Sequence, residues 1–267
     1  MIELNKIHRG NCLELIKQIP DNSIDCIITD PPYNISKEND NRDRSKLNSP
    51  IMRRESPLKY DFGEWDNKSR EEFLEFTKQW IIEACRVLKD GGTIISFFNK
   101  EDISYLGWEA KKLGVRTRTI FTWCKSNPVP SFRKVNYLSG TEFIWIGSKG
   151  TKAWTFNFKQ QKEMKNFMIT SNKSAYGETE HPTEKPKELI KHLLEIHTKE
   201  GDVVLDLFNG SGTTTICCQE LNRKFIGMEI NQDFIDMANK RLSQTTLKTE
   251  DGIPPITKVM GILPTIL

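Results

Sequence analysis

The chain has 267 residues, of which 37% are apolar and 9% aromatic: enough for a sizeable core, and large for one compact domain. Its net charge of +3 is mildly basic and neither demands nor excludes nucleic acid. No apolar run approaches a membrane span, the start lacks a signal-peptide core, and the six cysteines form no C-x-x-C pair, so a cytoplasmic protein with reduced core thiols and no metal site is expected.

Residues 4–9 read as a short strand ending at Gly10-Asn11, and Cys12 to Ile19 has helical spacing that stops at Pro20. The run Ile24-Asp25-Cys26-Ile27-Ile28-Thr29 reads as a buried strand, so the chain opens β-α-β and a parallel sheet is the first expectation. Asp30-Pro31-Pro32-Tyr33 ends that strand, because neither proline has an N–H to continue a ladder. A carboxylate, a stiff carbonyl-bearing turn and an aromatic ring thus sit at a strand C-terminus, where open α/β sheets bind ligands. The turn can hold an acceptor pair and a stacking face against a planar amine; a capped turn with a packed tyrosine is the plainer alternative.

Residues 36–60 hold seven Lys or Arg and four acids with almost no apolar periodicity, a long polar loop that is either a binding loop or solvated chain. Asp61–Asp66 returns an apolar anchor. Ser69 with Glu72 forms a capping box for a helix whose stripe is Phe73, Phe76, Trp80, Ile81, Ala84, Val87 and Leu88. Lys89-Asp90-Gly91-Gly92 is expected to close that helix with a glycine cap. Thr93–Phe98 is the next strand, 101–113 a helix, Arg116–Lys125 a strand stopped by Asn127-Pro128-Val129-Pro130, and Thr141–Ile146 another strand.

Residues 149–180 change character. Lys149, Lys152, Lys159, Lys162, Lys165 and Lys173 interleave with Trp154, Phe156, Phe158, Phe167 and Tyr176. Basic side chains meet phosphates and rings stack on bases, so this reads either as an inserted recognition segment or as a lysine-rich flap whose rings cover the sheet. A helix is expected over Glu184 to Thr198, a strand over Asp202–Leu207, a helix through Leu221, a strand over Arg223–Ile230 and a helix over 232–242. The tail after Thr245 carries Pro254, Pro255 and Pro264 among apolar residues and is expected to cross the surface or pack on a partner subunit.

Asp206-Leu-Phe208-Asn-Gly210-Ser-Gly212-Thr213 forms a second constellation, with Glu229 twenty-three residues after Asp206. A glycine turn between strand and helix lets a ligand approach the backbone, and an acid ending the next strand is placed to take two ribose hydroxyls. The pattern is neither a dinucleotide G-x-G-x-x-G nor a P-loop.

Asp206–Gly212 resembles the S-adenosylmethionine motif of amino-methylating DNA methyltransferases, and Asp30–Tyr33 resembles their catalytic motif. The catalytic half comes first, then the basic insert, then the cofactor half, an order similar to the β class of the family. Asp61–Asp66, Trp123-Cys-Lys125-Ser-Asn127-Pro128 and His181–Pro186 are also similar to adenine-N6 members that accompany restriction enzymes. The resemblance covers residues 1 to about 243. It implies an α/β fold: a doubly wound, mostly parallel, seven-stranded Rossmann-like methyltransferase sheet, circularly permuted, with an inserted recognition segment. The expected division is a catalytic half over 1–148 with a loop at 36–60, a target-recognition insert over 149–180, the cofactor half over 181–243 and a tail over 244–267.

The adenine amine is a poor nucleophile because its lone pair is delocalised into the ring. The Asp30 carboxylate and the Pro31 carbonyl are the expected acceptors of its two N–H groups, Pro32 helps to stiffen the turn, and Tyr33 stacks on a base flipped from the duplex. No Pro-Cys pair offers the thiol that a carbon-5 cytosine enzyme needs. For S-adenosylmethionine, Glu229 is expected at the ribose, Phe208 at the adenosine, Asn11 or Cys12 at the adenine ring, Gly210 and Gly212 at the close approach, and Thr213 and Lys185 at the methionine carboxylate. Asp206 orients the turn or takes the ammonium; Asp30 borders both ligands. Arg133, Lys134, Lys152, Lys159, Lys162 and Lys165 are the candidate contacts to double-stranded DNA. A homodimer and a cognate restriction endonuclease encoded elsewhere are the further partners such relatives suggest. Cytosine-N4, RNA or protein-amide methylation, and a non-enzymatic DNA-binding regulator, are the competing readings.

Overall fold

A computed structural model describes residues 2–33, 69–128, 134–171 and 184–250, with side chains to 245. The 36–60 loop, the Asp61–Asp66 anchor, Arg133, the start of the His181–Pro186 stretch and the tail from 251 lie outside the described residues.

The chain runs β1 (Lys6–Arg9), α1 (Cys12–Leu15), β2 (Ile24–Thr29), α2 (Arg70–Val87), β3 (Leu88–Phe98), α3 (Ile103–Lys112), β4 (Val115–Lys125), β5 (Thr141–Lys149), β6 (Phe167–Thr170), α4 (Lys187–His197), β7 (Val203–Asp206), α5 (Thr213–Glu220), β8 (Lys224–Glu229) and α6 (Gln232–Glu250). The strands form one sheet in the order β1-β8-β7-β2-β3-β5-β4-β6. All neighbours pair parallel except those of β5, which runs antiparallel to both β3 and β4.

Alternation along the strands divides the core in two. Ile27, Ile94, Leu205 and Ile226 face Cys12, Phe73, Trp80 and Leu106 of the α1–α2–α3 layer. Cys26, Ile28, Ile95, Phe97 and Val204 face Leu189, Leu193, Cys217 and Cys218 of the α4–α5 layer. A parallel sheet covered on both faces needs continuous apolar runs, and 24–29 supplies one. The expected doubly wound α/β fold is present. All six cysteines are free, and five are buried.

Besides α6, which runs on to Glu250 where an end at 242 and a tail from 244 were expected, the structure differs from the sequence reading in three places. The sheet has eight strands, because β6 in the 149–180 segment pairs with Thr122–Lys125 of β4. Lys89-Asp90-Gly91-Gly92 does not cap α2; it lies inside β3, which begins at Leu88 directly after the helix. Strand pairing wins over glycine's capping preference there: Leu88 pairs with Ile24, and Lys89 reaches Asp25 at 2.6 Å. Gly91 has φ +87°, and a Cβ on it would meet the Ala153 carbonyl oxygen at 2.9 Å, so both backbone shape and the crossing segment require glycine. Finally, α4 begins at Lys187 behind an N-cap at Pro186, leaving Glu184 and Lys185 outside the helix. The Ser69–Glu72 capping box is present as read.

Candidate functional site

Four neighbouring strands, β1, β8, β7 and β2, end at the same edge of the sheet. Their tips carry Gly10-Asn11, Glu229, Phe208–Gly212 and Asp30–Tyr33 in that order. β2 and β7 are adjacent and parallel, with Ile27 opposite Leu205, which sets the proline turn beside the glycine turn. The Thr29 hydroxyl donates to Asp206 Oδ1 at 3.1 Å, a buried link between residues 177 apart in sequence.

The glycine turn is held from three sides. Gly210 N–H donates to Glu229 Oε2 at 2.8 Å, and Asn209 N–H donates to the Met228 carbonyl at 2.8 Å. Arg241 of α6 donates to the Ser211 carbonyl at 2.7 Å and pairs with Glu184. Gly212, at φ +84°, caps α5; a Cβ there would meet the Ala238 Cβ at 2.7 Å, so glycine permits the close approach of α6. Asp206 is 4% exposed. Burial pushes its carboxyl up to about 7, against the pull of hydrogen bonds from Thr214, the Phe208 N–H and Thr29. Those partners are all neutral, so a buried acid stands here without a counter-charge among the described residues.

The proline turn is bound into an ionic chain. Lys185 Nζ lies 2.6 Å from Asp30 Oδ2 and 3.2 Å from Glu142 Oε2, and Lys125 Nζ lies 2.7 Å from Glu142 Oε1. Burial works against the Lys185 ammonium, but Asp30 and Glu142 outweigh it and hold its pKa above the ordinary lysine value. Burial likewise opposes the Glu142 carboxylate, and Lys185 and Lys125 outweigh that, so its pKa is lowered. Lys185 also sits over the rings of Phe97 at 5.0 Å and Tyr33 at 5.8 Å. The Tyr33 hydroxyl donates to Asp30 Oδ1; burial first, then the anions of Asp30 and Glu142, raise its pKa and keep it a phenol.

A family model described as "DNA methylase" matches residues 24–240. The chain belongs to the N6/N4 DNA methylase family. The methylase is similar to the Type II methyltransferase M2.MboI of Moraxella bovis, 32% identical over 91% of this chain and 90% of that protein. It is also similar to M.HpaI of Haemophilus parainfluenzae, 33% identical over 87% of this chain and 72% of that one. Among solved structures, that of an M1.HpyAVI–SAM complex superposes with a TM-score of 0.65 at 27% identity, covering 89% of this chain and 98% of that one. The cytosine-N4-specific PvuII DNA methyltransferase reaches the same TM-score at 18% identity, over 92% of each chain, and shares the fold. The methylase is accordingly a DNA methyltransferase of a class that modifies exocyclic amines.

Asp30, Pro31, Pro32 and Tyr33 therefore share one edge with Asp206, Phe208, Gly210, Gly212, Thr213 and Glu229. Phe208 is half-buried and meets the rings of Phe76 and Trp80 edge-on, at 6.0 and 6.3 Å. Asn11 caps α1 by accepting from the Leu13 N–H, and Cys12 is buried with its thiol pushed up to about 12 by desolvation. Thr213 is buried, its hydroxyl 3.5 Å from Glu184. Glu229 Oε1 also accepts from the Ile230 and Asn231 N–H groups, so three backbone donors fix its carboxylate. Lys185, the candidate for the methionine carboxylate, pairs with Asp30 and Glu142 at the proline turn.

The lysines expected to meet DNA are scattered. Lys134 is exposed between β4 and β5, at φ +52°. Lys152 follows Thr151, whose N–H donates to Asp90 at the opposite edge of the sheet. Lys159 pairs with Glu195 near the end of α4 at 2.5 Å, Lys162 lies exposed in a short turn, and Lys165 sits 5.5 Å over the Phe167 ring. Trp154 and Phe156 pack on His197 at the end of α4. Sequence reasoning missed Glu142, Glu184, Arg241 and the structural use of Lys125. Glu142 opens an ordinary-looking strand, and no local signal marks a carboxylate whose partner lies 43 residues further on.

Proposed function

We propose that this chain methylates the N6 amine of adenine within a short duplex DNA sequence, as the modification half of a restriction–modification pair, with S-adenosylmethionine as methyl donor. The observation that carries this reading is the side-by-side placement of the Asp30 turn and the glycine turn, joined by the Thr29–Asp206 hydrogen bond. The donor fits the residues present: Asp206 is a buried acid with only neutral partners, and the donor brings an ammonium and a sulfonium. Gly210, Gly212 and Glu229 form the cradle, with the half-buried Phe208 ring beside it.

The bound donor supplies an electrophilic methyl group. Asp30 and the Pro31 carbonyl take the two amine N–H groups and localise the nitrogen lone pair toward it. Lys185, gripped by Glu142, fixes the Asp30 carboxylate so that the remaining lone pairs of Asp30 face the incoming amine. The Pro31-Pro32 ring pair limits turn motion. Tyr33 presents a face for the flipped base while its hydroxyl holds Asp30 from the other side.

Cytosine N4 offers the same two N–H groups to the same acceptors, so it is the competing substrate; aspartate at position 30 favours adenine by family resemblance. Expression in a host without DNA methylases, followed by modified-base sequencing, separates the readings. N6-methyladenine in one recurring sequence is expected. N4-methylcytosine transfers the activity to the other amine, and unmodified DNA from a host making folded protein leaves the non-enzymatic regulator.

A further inference from the structure

The 149–180 segment, rich in lysine and aromatic residues, is the obvious candidate for reading DNA, and its first part lies at the wrong end of the molecule. β5 runs antiparallel to its neighbours, so it starts at the catalytic edge with Thr141 and ends at the opposite edge with Lys149. The chain stays there: Gly150 N–H donates to the Gly114 carbonyl, Thr151 N–H to Asp90, and Asn157 N–H to the Ile196 carbonyl near the end of α4. β4 spans Val115–Lys125, so ten steps at about 3.3 Å put the two edges roughly 33 Å apart. Lys152 is on the far side of that distance from Asp30, and Lys159 is occupied by Glu195.

The connection between β4 and β5 is at the catalytic edge. Its base is fixed where Lys125 N–H donates to the Gly140 carbonyl at 2.7 Å. From Lys125 the ionic chain through Glu142 and Lys185 leads directly to Asp30. On this base stand Val135, 81% exposed, Tyr137, 96% exposed, and the half-exposed Leu138, next to the exposed Lys134. Together they make a run of apolar side chains with a cation, beside the one place that DNA must reach.

Resting on the DNA methyltransferase reading, we propose that residues 134–138 are a DNA-reading element, with Tyr137 as the stacking or groove-contacting ring. The occupant is the duplex flanking the target base, because the element is continuous with the Asp30 site. A tyrosine offers a ring face for an unstacked base and an edge for a thymine methyl. Lys134 meets a phosphate and adds salt dependence without sequence preference.

The test uses the full-length protein and methylase-free plasmid DNA, with binding read by fluorescence anisotropy on duplex fragments of that plasmid and turnover read by methyl incorporation. Tyr137→Ala is expected to weaken duplex affinity roughly ten- to hundred-fold, the range for loss of one base–aromatic contact, while S-adenosylmethionine affinity is unchanged. Tyr137→Phe restores binding. Lys152→Glu, at the far edge, leaves duplex affinity within two-fold. Wild-type affinity in Tyr137→Ala, or a larger loss in Lys152→Glu than in Tyr137→Ala, overturns the proposal and returns recognition to the insert. Duplex binding that depends on Tyr137 without methyl incorporation by the wild type would instead sink the methylation reading and keep this one.

Discussion

At the edge of the sheet away from the cleft, cations close off main-chain carbonyls. Lys149 donates to those of Cys85 and Leu88, Arg86 to those of Ile16 and Ile19, and Arg223 to that of Thr198. Each satisfies backbone left over at the end of a helix or strand. Separate ion pairs such as Lys89–Asp25 and Lys159–Glu195 add to that edge, whereas at the cleft edge charges join into one chain across strand tips, Lys125–Glu142–Lys185–Asp30, or stand buried among neutral donors, as Asp206 does. The contrast teaches that basic composition by itself does not locate a working surface. The edge with polar capacity to spare does.

The sharpest break of this comparison is Asp30→Ala, expected to lower methyl transfer on the order of 10³-fold while calorimetric cofactor affinity survives. Turnover at the wild-type rate would remove Asp30 from the chemistry. Next comes the ionic chain. Lys185→Met leaves the Asp30 carboxylate without its cation, near a Glu142 that keeps only Lys125, and should cost about 3–5 kcal/mol of stability, measured by denaturant unfolding. Glu142→Gln keeps the shape but loosens Lys185, and should lower kcat about ten-fold at unchanged KM for the donor. A raised donor KM at unchanged kcat would instead put Lys185 at the methionine carboxylate.

Glu229→Ala should weaken cofactor binding about ten- to hundred-fold, the worth of hydrogen bonds to a charged acceptor, with unchanged calorimetric affinity refuting its ribose role. Because the Asp206 carboxyl is raised to about 7, it takes up a proton as pH falls through 7. If it meets the donor's cation, affinity at pH 6 should be about ten-fold weaker than at pH 8, and Asp206→Asn should flatten that slope. A wild-type slope that survives in Asp206→Asn points to another group.

The far edge, away from the chemistry, bears on stability alone. Burial first, then His192, lowers the His197 pKa from 6.5 to about 4 beneath the Trp154 and Phe156 rings. The folded chain resists a proton that the unfolded chain accepts. Stability is therefore complete above pH 6.5 and lost as pH falls toward 4, by at most about 3 kcal/mol. His197→Phe should remove that fraction of the acid sensitivity; identical acid denaturation curves for variant and parent would assign it elsewhere.

The sequence made legible whatever is local. The Ser69–Glu72 box, the strand into Asp30 and the glycine turn after Asp206 carry their causes within a few residues. The start of β3 was not legible, because Leu88 joins the sheet through a partner 64 residues earlier while its own neighbours suggest a helix end. Nor was the direction of β5, which carries Lys149 and Lys152 to the edge away from the cleft before β6 turns back toward it. The Lys185 partners Asp30 and Glu142 come from two other strand ends, and only the assembled sheet brings them together.

The strand order also has a consequence for synthesis. β1 hydrogen-bonds only to β8 among the described strands, and β2 waits for β7 on one side. β1 thus finds its described partner only when β8, the last described strand in sequence, has been made. Until about residue 229 has been translated, the nascent polypeptide carries open strand margins at β1 and β2, so chains ended within the cofactor half are expected to aggregate, which sedimentation of such truncations measures.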